Sequence, residues 1–446
     1  MDAKTFEIVV LGGGPAGTVA ARGLAAFGYA VALVSSPRRH GSLEGVSERS
    51  ARALRSAGCD EAGTRLGVPL PHSSNWNGVA VTAGDEHLVE RAALDEALRR
   101  DARCGEVTVV DGHADGVAET AESLEIAGRE SSGEPFLLRA GFTVEARGRS
   151  VATARKGHRR GPASTALGRE WSLPTGSSGR SALFSFEDGW AWLAVAAGGR
   201  AFLQIVVSSS TLKTRSKRDL APFFASLVEQ VPAVRPRLRG ARAGGAVEAR
   251  DATPVLAPDL VGSRSLRIGD AAFAVDPLSG QGIFEALATA LAAPPVVNTL
   301  LRRPGDRPLA EEFYVRRVED TFLRLARAGR DLYRGERRWS DRPFWKERQR
   351  WPDDEPVRRP ELPASIETRP VSADGFIVPR RVVVTPDHPR GVWQLDGVEL
   401  VPLLEHAAAQ RSERCARLAA EHAERTARPI AAVESALSWL RYRGLS

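Results

Sequence analysis

Apolar residues run unbroken from Ile8 to Leu11, enter three glycines, and give way to an alanine- and leucine-rich stretch from Pro15 to Phe27 with helical spacing. Tyr29 to Val34 is apolar again. Strand, helix and strand in that order predict one βαβ unit, the start of a parallel sheet. The pattern then predicts helices over Ser47–Ala57 and Arg91–Arg103, and extended chain over Val107–Val110, Leu124–Ile126 and Phe142–Ala146, the alternation of an α/β domain. From Ser181 to Val207 the period changes. SALFSFEDG, WAWLAVAAGG and RAFLQIVV each carry turn residues at or just after their ends, which predicts an antiparallel sheet. Lys217–Glu229 reads as an amphipathic helix, Ser265–Ile268 returns to strand, and the chain beyond Gln281 is largely helical to about residue 337. Proline-rich WPDDEPVRRPELP marks a linker, after which residues 367–446 read as strands followed by helices.

Composition narrows the class. With 446 residues, 43% apolar and 26% charged, the chain has the core-forming capacity of two or three folded domains. No apolar run approaches the roughly 18 residues of a membrane span, and the opening strand lacks the form of a signal peptide, so a soluble, cytoplasmic protein is expected. Cys59, Cys104 and Cys415 are too scattered for a disulfide framework or a paired metal spacing, and eight histidines form no ligand cluster, so no metal is expected. The net charge of +7 is written mostly in arginine, as a solvated surface or as a face for an acidic partner. It is spread along the chain apart from residues 316–359, which argues against nucleic acid.

The first chemistry lies in GGGPAG. Gly12, Gly14 and Gly17 match G-x-G-x-x-G directly after a strand and at a helix start, where Gly12 permits the tight turn, Gly14 admits a pyrophosphate and Gly17 allows close helix–strand packing. Pro15 suits the first helical turn, and with Ala16 it is counted among the cofactor-binding residues at the helix N-terminus that would face the phosphates. The acidic residue expected at the end of the second strand is missing. VALVSSPRR offers Ser35 for a weaker ribose contact, or Arg38 and Arg39 for an adenosine-side phosphate.

GGGPAG, Arg91 in RAALDEALRRDA, VEARGRS at 144–150 and GDAAFAVDP occur in that order. Together they resemble the flavoprotein monooxygenases of the aromatic-hydroxylase type and the related flavin-dependent halogenases. The resemblance implies an α/β fold with a Rossmann-like FAD-binding domain over residues 1–180 and 245–310, and an inserted antiparallel-sheet substrate domain over 181–244. A helical Arg/Trp-rich segment and linker over 311–366 and a small C-terminal α+β domain over 367–446 would follow. It places Arg91 near the FAD phosphates, Asp270 on the ribitol, and the Pro277 to Gly282 loop beside the isoalloxazine ring. The residues agree with this: Asp270 follows a strand and can accept from sugar hydroxyls, while Gly280, Gln281 and Gly282 can present backbone N–H groups to the ring edge. The plainer alternative is an Asp cap and a proline turn before a helix. Molecular oxygen and NAD(P)H or a separate reductase would be the co-substrates.

Halogenases resemble the chain at Gly189-Trp190-Ala191-Trp192, but Leu193-Ala194 stands where their pattern continues into Ile-Pro, and no lysine lies between Lys4 and Lys156 to handle the hypohalous acid. Trp190 and Trp192 share one strand face, as core or as substrate wall. In SLEGVSERS, read as a loop entering the second helix, Glu44, Ser47 and Arg49 lie near the flavin by this reading. Glu44, as a base or as a helix partner, and Gln281 are the catalytic candidates. EGVSERS, DPLSGQGI and the run with Trp339, Trp345 and Trp351 among arginines look like the flavoproteins that help make protein-derived tryptophylquinone cofactors. That resemblance implies a tryptophan within a small partner subunit as the substrate. The same tryptophans are open to two physical readings: bases of single-stranded nucleic acid stacked on them, or guanidinium groups covering them inside the fold.

Overall fold

Strand β1 (Lys4–Leu11) is buried from Ile8 onward and lies between two parallel neighbours, β2 (Val31–Ser35) and β8 (Pro135–Glu145), with Ile8 opposite Val31 and Phe142. Helix α1 (Pro15–Ala26) joins β1 to β2, as the apolar spacing predicts. β2 continues in parallel to β6 (Thr108–Glu119), and β8 to β16 (Ser265–Arg267). β7 (Leu124–Glu130) joins β6 and β8 antiparallel. The chain leaves β1 for one side of the sheet and later returns to the other, which makes the carboxyl end of β1 a topological switch point, where open α/β sheets bind ligands. β6 is longer than the Val107–Val110 expectation because its second half is mostly exposed and has no hydrophobic alternation to reveal it.

The computed structural model describes residues 3–38, 41–149, 151, 157–174, 176–359, 363–409 and 415–445. Arg39, Ser150 of VEARGRS and linker residues 360–362 lie outside them. Two units are distinguished, Met1–Pro294 with Val318–Glu355, and Pro295–Arg317 with Pro356–Ser446.

The first unit also holds an eight-stranded sheet. Its centre is the expected antiparallel set β11 (Arg180–Phe186), β12 (Gly189–Val195) and β13 (Arg200–Ser208). The sheet extends beyond 181–244: β10 (Ser164–Ser172) pairs with β13 and β14 (Arg242–Asp251) with β10, while β4 (Leu70–Trp76), β5 (Val79–Glu90) and β3 (Leu43–Val46) continue past β11. β5 is exposed over its first seven residues, so hydrophobic periodicity does not register it. The segment SLEGVSERS is therefore a strand and not a loop where it carries Glu44, which pairs opposite Val89. Ser47 then caps α2 (Glu48–Ser56), accepting from the Ser50 N–H at 3.2 Å. A further short helix, α3 (Asp60–Arg65), precedes β4, and α4 (Arg91–Cys104) follows β5.

Alternation sorts the sheet faces. Ala191, Leu193 and Val195 pack into a core with Phe224 and Leu227 of α5 (Leu220–Glu229). Lys217–Asp219, expected as helix, is a 3₁₀ turn with a Ser216 capping box. Trp190 points to the opposite face with Tyr333, Phe344 and Trp345, and Trp192 packs against them. Helices α6 (Gly282–Arg302) and α7 (Arg307–Gly335) form the largely helical stretch expected after Gln281, and α8 (Pro343–Arg348) follows. By length and composition α6 could cross a membrane, although 72% of its apolar window is buried within the protein.

The Arg/Trp-rich segment turns inward. Trp345 is fully buried and donates to the carbonyls of Phe186 and Glu187 at 3.2 and 3.0 Å. Trp339 stacks on it at 5.9 Å under the Arg338 guanidinium, and Trp351 meets Phe322 edge-on. In the second unit, β18 (Ser365–Ala373) and β19 (Phe376–Thr385) form a hairpin through Asp374-Gly375, both at positive φ, the mark of a tight primed turn. Helices α9 (Leu400–Ala409), α10 (Cys415–Thr426) and α11 (Ile430–Arg441) build its core, and Thr299 accepts the Ile377 N–H at 2.8 Å.

Candidate functional site

The glycines after β1 are required by contact. Gly12 has φ +106°, and a Cβ there would sit 2.5 Å from the Ala146 carbonyl oxygen. A Cβ on Gly17 would sit 1.7 Å from the Gly12 oxygen. Gly14 is the N-cap of α1 and supplies no side-chain acceptor, and Pro15 brings no N–H, so the remaining first-turn donors of α1 have no side-chain cap. An anionic pyrophosphate is the group such a terminus suits. Ser35, 4% exposed, packs over Gly13 at the end of β2.

Arg91 opens α4 and reaches to 3.5 Å from where a Cβ on Gly14 would lie. Its Nη1 donates to both oxygens of Glu44 at 3.0 and 2.9 Å, and its Nε to Asp95 at 2.7 Å. Burial works against its charge, but the two carboxylates more than offset this and hold its pKa above the usual value. Asp95 also accepts from Arg38 Nε at 2.8 Å, which ties the two arginines to one carboxylate. Gly12, Gly14, Ser35, Arg38 and Arg91 line one cavity of about 540 Å³.

The late motif meets the same place. Gly269 has φ +56°, and a Cβ there would lie 2.8 Å from the Ala16 Cβ, so the absence of a side chain brings the G-D turn against α1. The Gly269 N–H is held by Thr289 Oγ1 at 2.8 Å. Beside it, burial pushes the Asp270 carboxyl pKa up, opposed by Arg149 and Arg91. Further along, Gly280 is left-handed at φ +61°, the Gln281 N–H bonds Ser279 Oγ at 3.2 Å, and the Gln281 carbonyl accepts from Glu285 in the first turn of α6. Glu44, Pro277, Gly280 and Gly282 line a second cavity of about 280 Å³, with Trp190, Trp192 and Phe202 among its walls. The Glu44–Arg91 ion pair thus joins the two cavities, and it occupies the carboxylate offered above as a base. Ser47 and Arg49 line neither cavity. Arg49 lies 3.9 Å over the Phe284 ring.

The glycine cradle, the uncapped helix terminus, the two arginines tied to Asp95 and the buried Asp270 carboxylate make a set of polar groups that fits FAD.

Other polar groups at the site went unread in the sequence. Trp190 Nε1 donates to Tyr333 Oη at 3.1 Å, and that hydroxyl donates to Asp276 Oδ2 at 3.0 Å, just before Pro277. In the smaller cavity His72 meets Glu86 at 3.3 Å. Asp276 sits in DPLSGQGI, which was signal enough to weigh it. Nothing local marks Tyr333, His72 or Glu86.

No protein-family profile matches the chain. Among solved structures it is similar to one described as "Peptidyl tryptophan dihydroxylase QhpG essential for tryptophylquinone cofactor biogenesis", with 37% identity and a TM-score of 0.81, covering 99% of this chain and 100% of that one. It also shares the fold of CmlS, a flavin-dependent halogenase, at 17% identity and a TM-score of 0.75, over 100% of this chain and 96% of that one. A tryptophan 2-halogenase of Chondromyces crocatus is 25% identical over 363 residues, 72% of this chain and 67% of its own length. The flavin-dependent halogenase armH5 of Armillaria mellea is 24% identical over 333 residues, 65% of this chain and 64% of its own length. With identity of 37% sustained end to end, the chain belongs to the FAD-dependent monooxygenase and halogenase family of flavin oxidoreductases.

Proposed function

We propose that this enzyme hydroxylates the indole ring of a tryptophan residue in a small partner polypeptide, a step in building a tryptophylquinone cofactor. The observation that carries the reading is the full-length likeness to a peptidyl tryptophan dihydroxylase at 37% identity. Dioxygen and NAD(P)H, or a reductase, are the proposed co-substrates, and the bound flavin would supply the activation of oxygen. The chain's own part is positioning and exclusion of water. Gly12, Gly14, Pro15, Ala16, Gly17, Ser35, Arg38 and Arg91 would hold the nucleotide half, Asp270 the ribitol, and Pro277 to Gly282 the ring edge. Trp190, Trp192 and Phe202 give the smaller cavity flat apolar walls suited to an aromatic ring.

Halogenation is the second reading, favoured by the two curated halogenase relatives. It lacks a lysine anywhere between Lys4 and Lys156. Co-expression with a candidate small cysteine-rich subunit, followed by peptide mass spectrometry, separates the two. Hydroxylation adds the mass of one or two oxygen atoms at a tryptophan. A chlorinated tryptophan would replace this reading with the second, and an unmodified peptide would remove both.

A further inference from the structure

The smaller cavity contains a hydrogen-bonded group that the positioning roles above do not use. Sheet register places His72 of β4 directly opposite Ser181 of β11 and, across the β4–β5 pair, opposite Gly84, two residues before Glu86. The three side chains therefore share one face, and they bond. Ser181 Oγ donates to Glu86 Oε1, and His72 Nδ1 lies 2.7 Å from Ser181 Oγ and 3.3 Å from Glu86 Oε1. Glu86 Oε2 packs where a Cβ on Gly45 would be, so that oxygen is held in place by the bare backbone of β3. Burial pushes the Glu86 carboxyl up, but the bonds from His72, Ser181 and Trp192 outweigh it and keep the group below the usual carboxylate range. Glu86 is thus an ionised acceptor.

The direction of each bond follows. Ser181 has one hydroxyl proton and gives it to the carboxylate, so its oxygen can only accept from His72. Nδ1 of His72 therefore carries a proton, and in the neutral ring Nε2 holds the basic lone pair. The other titratable and charged groups facing this cavity are already engaged: Glu44 of β3 by Arg91 of α4, and Glu248 by Arg250 at 2.6 Å on β14.

We propose that His72, through Nε2, is the general base that takes the proton released from the hydroxylated ring carbon, with Glu86 and Ser181 as positioning residues that fix its tautomer. This rests on the reading of the enzyme as an aromatic hydroxylase. In the balanced step a C–O bond forms between the ring carbon and one atom of dioxygen, and the C–H bond of that carbon breaks. The C–H electron pair returns to the ring, and the proton passes to Nε2. The second oxygen atom leaves as water, taking a hydride equivalent from the nicotinamide-class reductant and one proton from solvent, and the proton on Nε2 returns to the new ring oxygen or to solvent. The arrangement has the logic of carboxylate-oriented imidazole bases generally: the anion holds the ring and favours the imidazolium as it forms.

The test pairs two measurements on the full-length protein. Nitrogen NMR of histidine-labelled enzyme, with His72 assigned by its absence in His72→Gln, is expected to show the proton on Nδ1. Glu86→Gln and Ser181→Ala are expected to abolish that preference, and Ser181→Thr to keep it. In the hydroxylation assay, His72→Gln is expected to lower the rate by about 10²- to 10⁴-fold with FAD affinity unchanged, the consumed oxygen being diverted to hydrogen peroxide. A proton on Nε2 in the unmodified protein, or hydroxylation by His72→Gln at the unmodified rate, overturns the proposal. If the unmodified enzyme hydroxylates no peptide, the proposed function itself falls and takes this base with it.

Discussion

Replacing Tyr333 by Phe removes a single oxygen atom from the interior. The ring contacts with Trp76, Phe344 and Trp345 remain, so no large cavity opens. What is lost is the link between Trp190, 1% exposed, and Asp276. An indole N–H left buried without a partner costs about 1–3 kcal/mol, and a hydrogen bond to a carboxylate is worth about 1.5–3 kcal/mol. Asp276 keeps the Leu278 N–H at 3.0 Å, which limits its own loss. The expected destabilisation is about 3 kcal/mol, read as a lower urea midpoint at unchanged slope by tryptophan fluorescence. The pH dependence follows from the direction of the Asp276 shift. Burial raises its carboxyl in the folded state, while Arg348, the Leu278 N–H and Tyr333 oppose the rise. A carboxyl raised on folding takes up protons in the native state, so its contribution to stability falls as pH rises from the ordinary carboxylate value through the raised one. The Phe variant widens that window, and its deficit should shrink as the pH falls and Asp276 becomes protonated. A double-mutant cycle with Trp190→Phe should show coupling of about 1 kcal/mol. A loss below about 0.5 kcal/mol at neutral pH, or none of that coupling, would refute the view that this hydroxyl is a structural bridge between Trp190 and the turn at Asp276.

Arg91→Met should weaken FAD binding by about 10- to 100-fold, the worth of one charge-assisted contact to phosphate, in a flavin fluorescence titration; an unchanged Kd removes Arg91 from the site. Asp270→Asn should act in opposite directions: relieving a carboxylate that burial disfavours, it should raise the thermal midpoint without FAD and lower FAD affinity, and a variant weakened in both respects contradicts this role. Gly17→Ala drives a Cβ to 1.7 Å from the Gly12 oxygen, so the purified variant should retain no flavin absorbance, and full retention would mean the turn can shift without cost.

The parts of the fold that were legible in the sequence are those with buried faces. β1, α1, β2 and the β11–β13 hairpins bury regular apolar positions, and the glycines mark where backbones touch. β4 and β5 escaped notice because β5 is exposed along its first half, and with it went the recognition that Glu44 stands on a strand. The two glycine motifs meet, Gly269 against Ala16, but no motif showed who holds whom: Asp95 between Arg38 and Arg91, and Glu44 bound by Arg91, depend on side chains 47 or more residues apart in two of three pairs. His72 and Ser181 are 109 residues apart and meet only through sheet register, which no local pattern encodes. The arginine and tryptophan run is a converse case. Its composition admitted both a surface for nucleic acid and cation–π packing inside the fold; Trp345 is fully buried against β11 and β12, with Trp339 half-buried beside it under Arg338.

The most direct test is to supply isotopically heavy dioxygen to the reduced, FAD-loaded enzyme with a candidate tryptophan-bearing subunit and locate the label by tandem mass spectrometry. The account predicts heavy oxygen on the indole ring of one tryptophan, dependent on FAD and reductant. Heavy oxygen absent from the peptide, or chlorine in its place, would contradict it.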